Sequence, residues 1–181
     1  MERRITIEEL KRVQLEILDM VTQFCDANGI RYWLDSGTLL GAIRHKGYIP
    51  WDDDIDLGML REDYERFVSV FNESNDRYRV LSFEWNPDFG FPFAKVCDTT
   101  TVLYEPDERG RKMAINIDIF PYDRAPDDDA VANEMFDRRT HCGGFIRSGM
   151  TGPSAILQQK LCANCGSWAI GCSARTQPSG R

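Results

Sequence analysis

No stretch of this 181-residue chain reaches the ~18–20 consecutive apolar residues that a membrane-spanning helix needs. The opening MERRITIEEL carries no apolar core of the kind a secretory signal requires, so the expectation is a cytoplasmic protein without a transmembrane segment. A basic surplus is missing too: 22 Lys and Arg stand against 29 Asp and Glu, a net charge of −7, which gives no electrostatic footprint for nucleic acid. Histidine is scarce, and neither His45 nor His141 stands in a pattern that pairs it with a nucleophile. There is no internal repeat and no linker long enough to split the chain. Cys25 and Cys97 sit in apolar surroundings and read as small core residues. Cys162-Ala-Asn-Cys165 has the spacing of a zinc knuckle that His141, Cys142 and Cys172 would have to complete; a single CxxC without a matching second pair reads more simply as reduced thiols.

What is present is ordinary globular material, 42% hydrophobic and 11% aromatic, enough for one domain with a real core. Thr6-Ile7-Glu8-Glu9 has the form of a capping box, and Leu10, Val13, Ile17, Val21 and Phe24 follow at helical spacing until Asn28-Gly29. Residues 30–34 read as a short strand and Thr38 to about Arg44 as a short helix. A second amphipathic helix runs from about Arg61 to Asn72, with Tyr64, Phe67, Val68 and Phe71 inward. Strands are expected over 78–83, 91–96, 100–104 and 113–120, the last ending at Pro121, with a loop over 106–110. An acidic-capped helix over about 127–140 turns Val131, Met135 and Phe136 inward, and Ile156, Leu157 and Leu161 allow one more short helix. From Cys162 the periodicity stops, so the chain divides into a folded 1–161 and an irregular tail, 162–181.

The chemistry concentrates between Leu34 and Gly58. Ser36-Gly37-Thr38 leads into a helix whose first backbone N–H groups lack intrahelical partners and suit an anion; Gly37 permits close approach, and Ser36 or Thr38 adds a hydroxyl. The plainer alternative is a Ser or Thr N-cap. Arg44, at the end of that helix, either binds a phosphate or complements the helix dipole. After Pro50 come Asp52, Asp53, Asp54 and Asp56, and strand alternation sends Ile55 and Leu57 into the core while Asp54 and Asp56 share the other face. Like charges so placed repel unless a cation lies between them, and a hard divalent ion such as Mg²⁺ or Mn²⁺ fits an all-oxygen set. Asp118 alternates with Ile115, Ile117 and Ile119 in the same manner and is the third carboxylate. Lys95, in an apolar strand beside Phe91 and Phe93, needs an anionic partner: a phosphate or a carboxylate of this site. Asp52 and Asp53 are both candidates for a general base, and Tyr48 and Trp51 either stack on a base or simply fill space.

A phosphate-cradling helix start followed by Asp-apolar-Asp on a strand is the outline of the nucleotidyltransferase superfamily. The segment SGTLLGAIRHKGYIPWDDDIDLGMLREDYERF resembles more closely the LicD-type family of phosphocholine and phosphoalditol transferases, to which fukutin-like proteins belong. Two later pieces fit the same pattern: Pro92 to Val96 with Asp98 and Thr100, and Ile117 to Pro121 with Asp123. The resemblance implies an α/β (α+β) fold with a small mixed sheet, flanking helices and a metal site of Asp54, Asp56 and Asp118. It further implies a CDP-linked donor such as CDP-choline and, as acceptor, a sugar hydroxyl of a cell-surface glycan, lipopolysaccharide or teichoic acid precursor, with the work done at the inner face of the membrane. LicD-like chains usually continue into a longer helical part, so this one reads as C-terminally shortened. That leaves open two alternatives: a nucleotidyltransferase acting on a small molecule, and a non-catalytic nucleotide-binding remnant.

Overall fold

The computed structural model describes residues 4–86, 89–104 and 112–147, and the chain falls into two compact units, Met1–Pro121 and Tyr122–Arg181. The first helix, α1 (Ile7–Asn28), starts on the expected capping box: Glu9 N–H donates to Thr6 Oγ1 at 3.2 Å and Thr6 N–H to Glu9 Oε2 at 2.9 Å. It ends at Gly29, whose φ of 61° is the left-handed conformation that glycine adopts without a Cβ penalty. Strand β1 (Trp33–Leu34), helix α2 (Ser36–His45), strand β2 (Asp56–Leu60) and helix α3 (Arg61–Val70) follow, α3 running on into a 3₁₀ turn over Phe71–Glu73. Then come β3 (Tyr78–Leu81), β4 (Ala94–Asp98), β5 (Leu103–Tyr104), β6 (Lys112–Met113) and β7 (Asn116–Tyr122).

Five of these strands form one mixed sheet in the order β1-β2-β7-β4-β3, while β5 and β6 pair as a separate ribbon. The expected α/β architecture is thus the one found. Both acidic strands, β2 and β7, are interior and adjacent, which brings Asp56 and Asp118 into one region. One sheet face is covered by apolar side chains: Ile17 and Val21 of α1, and Tyr64, Phe67 and Phe71 from α3 and its turn, all at most 1% exposed, meet Ile55, Leu57, Val96, Ile117 and Ile119. On such burial, at about 25 cal/mol per Å² of apolar area, the stability of the unit mainly rests.

Three local expectations are corrected. The strand expected over 91–96 begins only at Ala94, because Pro92 has no N–H to donate to a ladder. The strand expected over 113–120 divides into β6 and β7, and β7 runs through Pro121 rather than ending before it. Its register with β4 ends at Ile119, so the missing proline N–H removes no bond from that ladder. In the second unit, α4 (Asp129–Arg147) is longer than expected, its start held by Asp128 Oδ1, which accepts from the Ala130 and Val131 N–H groups at 2.8 and 3.1 Å. Val131 and Phe136, expected inward, are exposed.

No helix among the described residues is long and apolar enough to cross a membrane. The loop at 106–110, the short helix near 156–161, the boundary at 161/162 and the Cys162/Cys165 pair lie outside the described residues.

Candidate active site

The start of α2 is bonded to the acidic strand. Asp35 N–H donates to the Asp56 carbonyl at 2.9 Å, and Asp56 N–H donates to Thr38 Oγ1 at 2.9 Å, so both backbone groups of Asp56 are held by the helix start. The N-cap is Asp35, whose Oδ1 accepts from Ser36 N–H at 2.8 Å; the helix therefore begins at Ser36, two residues earlier than expected. Ser36 takes a φ of 46°, a left-handed conformation that a non-glycine residue rarely adopts, in the loop-to-helix corner of the site. Thr38, read as a phosphate donor, uses its hydroxyl oxygen to accept from the strand. Against Gly37 stands the Asp52 carboxylate: a Cβ there would lie 2.6 Å from Asp52 Oδ2. Arg44 is exposed in the last turn of α2, where its charge also complements the helix dipole.

Alternation holds through the acidic segment. Ile55 and Leu57 are 2% and 0% exposed, whereas Asp54 is exposed and Asp56 half-buried. The Asp56 carboxyl is pushed up to about 7, first by burial and then by the charges of Asp54, Asp118, Asp35 and Asp52. Asp54 is raised as well, by partial burial, by the charge of Asp52 and by a hydrogen bond with it. Asp118 N–H donates to the Ile55 carbonyl at 2.8 Å, which ties the backbone of the Asp118 strand to the residue between Asp54 and Asp56.

Lys95 meets a carboxylate. Its Nζ lies 2.6 Å from Asp118 Oδ1 and 3.1 Å from Asn116 Oδ1, with the rings of Phe91 and Phe93 at 5.2 and 5.4 Å. A buried ammonium is tolerated only when so surrounded. Asp98 and Thr100 serve the framework of the sheet. Asp98, 0% exposed, accepts from Arg77 at 2.7 Å and from the Thr100 N–H and hydroxyl at 3.0 and 2.6 Å. Burial alone would raise the Asp98 carboxyl, but these donors hold it below its ordinary value. Tyr48 packs inward, donating to Gln14 Oε1 at 3.0 Å, while Trp51 is 84% exposed. Gln14 and Asn116 are not singled out by the sequence alone. For Gln14 the available signal was a polar residue at a position that the apolar periodicity assigns to the buried face of α1; for Asn116 it was the isoleucine alternation, which puts it on the same face as Asp118.

Among the described residues no three His, Cys, Asp or Glu side chains form a ready-made metal cage. The donor chemistry nonetheless fits a hard divalent cation: Asp54 and Asp56 are oxygen donors two residues apart whose proton affinity is raised first by burial and then by neighbouring carboxylates.

The family described as LicD/FKTN/FKRP, nucleotidyltransferase domain, matches residues 29–145. The chain belongs to the LicD family. It is 41% identical over 131 residues to the lipopolysaccharide cholinephosphotransferase LicD of Haemophilus influenzae, a match covering 71% of this chain and 49% of that protein. Over 62 residues it is 47% identical to human ribitol 5-phosphate transferase FKRP, covering 34% of this chain and 12% of the relative. Human ribitol-5-phosphate transferase FKTN is 28% identical over 109 residues, covering 58% and 20%. The chain thus spans about half the length of the bacterial LicD protein and less of the human ones. Every site residue of this LicD chain, from Ser36 to Asp118, lies inside the family match; Gln14 precedes it.

Proposed function

We propose that this LicD-family chain transfers phosphocholine, or a similar phospho-substituent, from a CDP-linked donor to a sugar hydroxyl of a cell-surface glycan, lipopolysaccharide or teichoic acid precursor. Mg²⁺ or Mn²⁺ is the cofactor in this reading, held by Asp54 and Asp56 with Asp118 alongside. The supporting observation is Asp56, a carboxyl pushed up to about 7 by burial and four neighbouring carboxylates. The relatives are named as a cholinephosphotransferase and as ribitol 5-phosphate transferases, which have in common the transfer of a phosphate-bearing group.

When bound, the cation neutralises charge on the donor phosphates and lines them up for displacement. The chain's own residues do the rest. The N–H groups at the start of α2 face the donor phosphates, and Ser36 adds a hydroxyl. Lys95 holds the Asp118 carboxylate in place, and lends positive charge to the same region. Asp52, hydrogen-bonded to Asp54, is in this reading the group that receives the acceptor's proton.

The test incubates the full chain with Mg²⁺, lipopolysaccharide and either CDP-choline or CTP. Metal-dependent release of CMP from CDP-choline, lost in Asp56→Asn, supports the proposal. Consumption of CTP instead points to nucleotidyl transfer, and CDP-choline binding without turnover to a non-catalytic nucleotide site; either result overturns it.

A further inference from the structure

We infer that Gln14 is a positioning residue that sets the spacing between the Asp53–Asp56 segment that leads into β2 and the Asp118 strand. Gln14 lies on the apolar face of α1, in line with Leu10, Ile17 and Val21, and is only 4% exposed. A carboxamide buried there is destabilising unless its hydrogen bonds are met. They are met across the sheet. Nε2 donates to the Asp53 carbonyl at 2.9 Å and to the Asn116 carbonyl at 3.2 Å, and Oε1 accepts from the Tyr48 hydroxyl at 3.0 Å.

The geometry explains the choice of residue. Asp53 and Asn116 each lie two residues before the partners of a strand-to-strand bond, that from Asp118 N–H to the Ile55 carbonyl at 2.8 Å. The Gln14 amide has two hydrogens and gives one to each strand, so it extends the pairing where two carbonyls, both acceptors, would otherwise meet. Asn116 also accepts from Lys95 on its side chain, so the same residue links the helix amide to the Lys95–Asp118 pair. A methionine of similar volume would fill the space and link nothing. A glutamate would keep the acceptor for Tyr48 and lose the paired donors.

The consequence for metal and donor affinity rests on the proposed function; the positioning itself does not. The experiment compares wild type, Gln14→Met and Tyr48→Phe by amide hydrogen exchange and by Mn²⁺ titration of the full chain. In Gln14→Met the Asp118 amide should exchange at least tenfold faster relative to the Arg79 and Cys97 amides of the β3–β4 pair, and Mn²⁺ should bind at least tenfold more weakly. Tyr48→Phe, which keeps both donors, should show a smaller effect of the same kind and covers the case in which Gln14→Met fails to fold. Exchange that rises equally at all these amides, or stays at the wild-type pattern, overturns the inference. Wild type that binds no Mn²⁺ counts against the metal reading, and the exchange pattern still decides on Gln14.

Discussion

Lys95 and Asp118 are direct cross-strand partners in the β4–β7 pair, and their charged ends meet at 2.6 Å. With only 9% and 17% of the two side chains exposed, neither charge is well hydrated alone, and each accounts for the other's presence in the sheet. The pair leaves Asp54 and Asp56 as the carboxylates with raised proton affinity, so the acidic cluster holds one member paired with a lysine and two that burial and crowding make harder to ionise.

Breaking that pair from the lysine side should be severe. Lys95→Met strands Asp118 among carboxylates, and removing one partner of a buried ion pair costs about 3–5 kcal/mol. Adding Asp118→Asn should restore part of the loss, because no lone charge then remains. Denaturant melts of the two single variants and the double variant close the cycle; additive losses would show that the two groups do not interact.

The two strands respond oppositely to neutralisation. Asp56→Asn removes a charge from a repulsive set and should raise the midpoint of thermal unfolding in EDTA by a few degrees, about 1 kcal/mol in a domain of this size. Asp118→Asn deprives Lys95 of its counter-charge and should lower it. Melting curves of both without metal check the contrast, and equal shifts would contradict it.

The pH dependence follows with a definite sign. Asp56 and Asp54 have folded-state pKa values above their ordinary 3.8, so the stability they contribute is full below about pH 4 and is lost as pH rises, for Asp56 through about 7. Asp98 is lowered, so its contribution is present above its ordinary 3.8 and is lost as pH falls below that value. Without metal the protein should melt at a higher temperature near pH 5 than near pH 8, and Asp56→Asn should flatten that slope. A slope unchanged by the substitution would remove Asp56 as its source.

Gly41 is a packing requirement of α2. A Cβ at this position would lie 2.5 Å from the Gly47 carbonyl oxygen and 2.9 Å from the Ile49 amide nitrogen, both backbone atoms that cannot rotate away. Gly41→Ala should destabilise by about 1–3 kcal/mol and displace the segment that carries Tyr48. Gly37→Ala meets only the movable end of Asp52 and should leave the melting temperature closer to wild type. Parallel melts rank the two; a larger loss at Gly37 would reverse the assignment.

Much of this was legible in the chain because it is local. The capping box at Thr6, the stop at Gly29 and the isoleucines framing Asp118 are set by neighbours a few residues away, and the structure reproduces them. Lys95 was legible as a buried cation in need of an anion. What stayed hidden depends on partners distant in sequence. That Thr38 receives the Asp56 N–H, that Asp52 fills the space at Gly37, and that Gln14 reaches two strands are facts of sheet order, which alternation does not encode. Pro121 misled for the same reason: whether a proline ends a strand depends on which of its edges is paired at that residue.

Above all, the proposed function requires that Asp54 and Asp56 hold a divalent cation on which transfer from a CDP-linked donor depends. Phosphorus NMR of CDP-choline incubated with the full chain and lipopolysaccharide, with Mg²⁺ and then with EDTA, probes that requirement at the reacting atoms. Loss of the diphosphate signals and appearance of CMP and a new phosphodiester are expected, all abolished by EDTA and by Asp56→Asn. Turnover that persists in EDTA, or that survives Asp56→Asn at the wild-type rate, would contradict it.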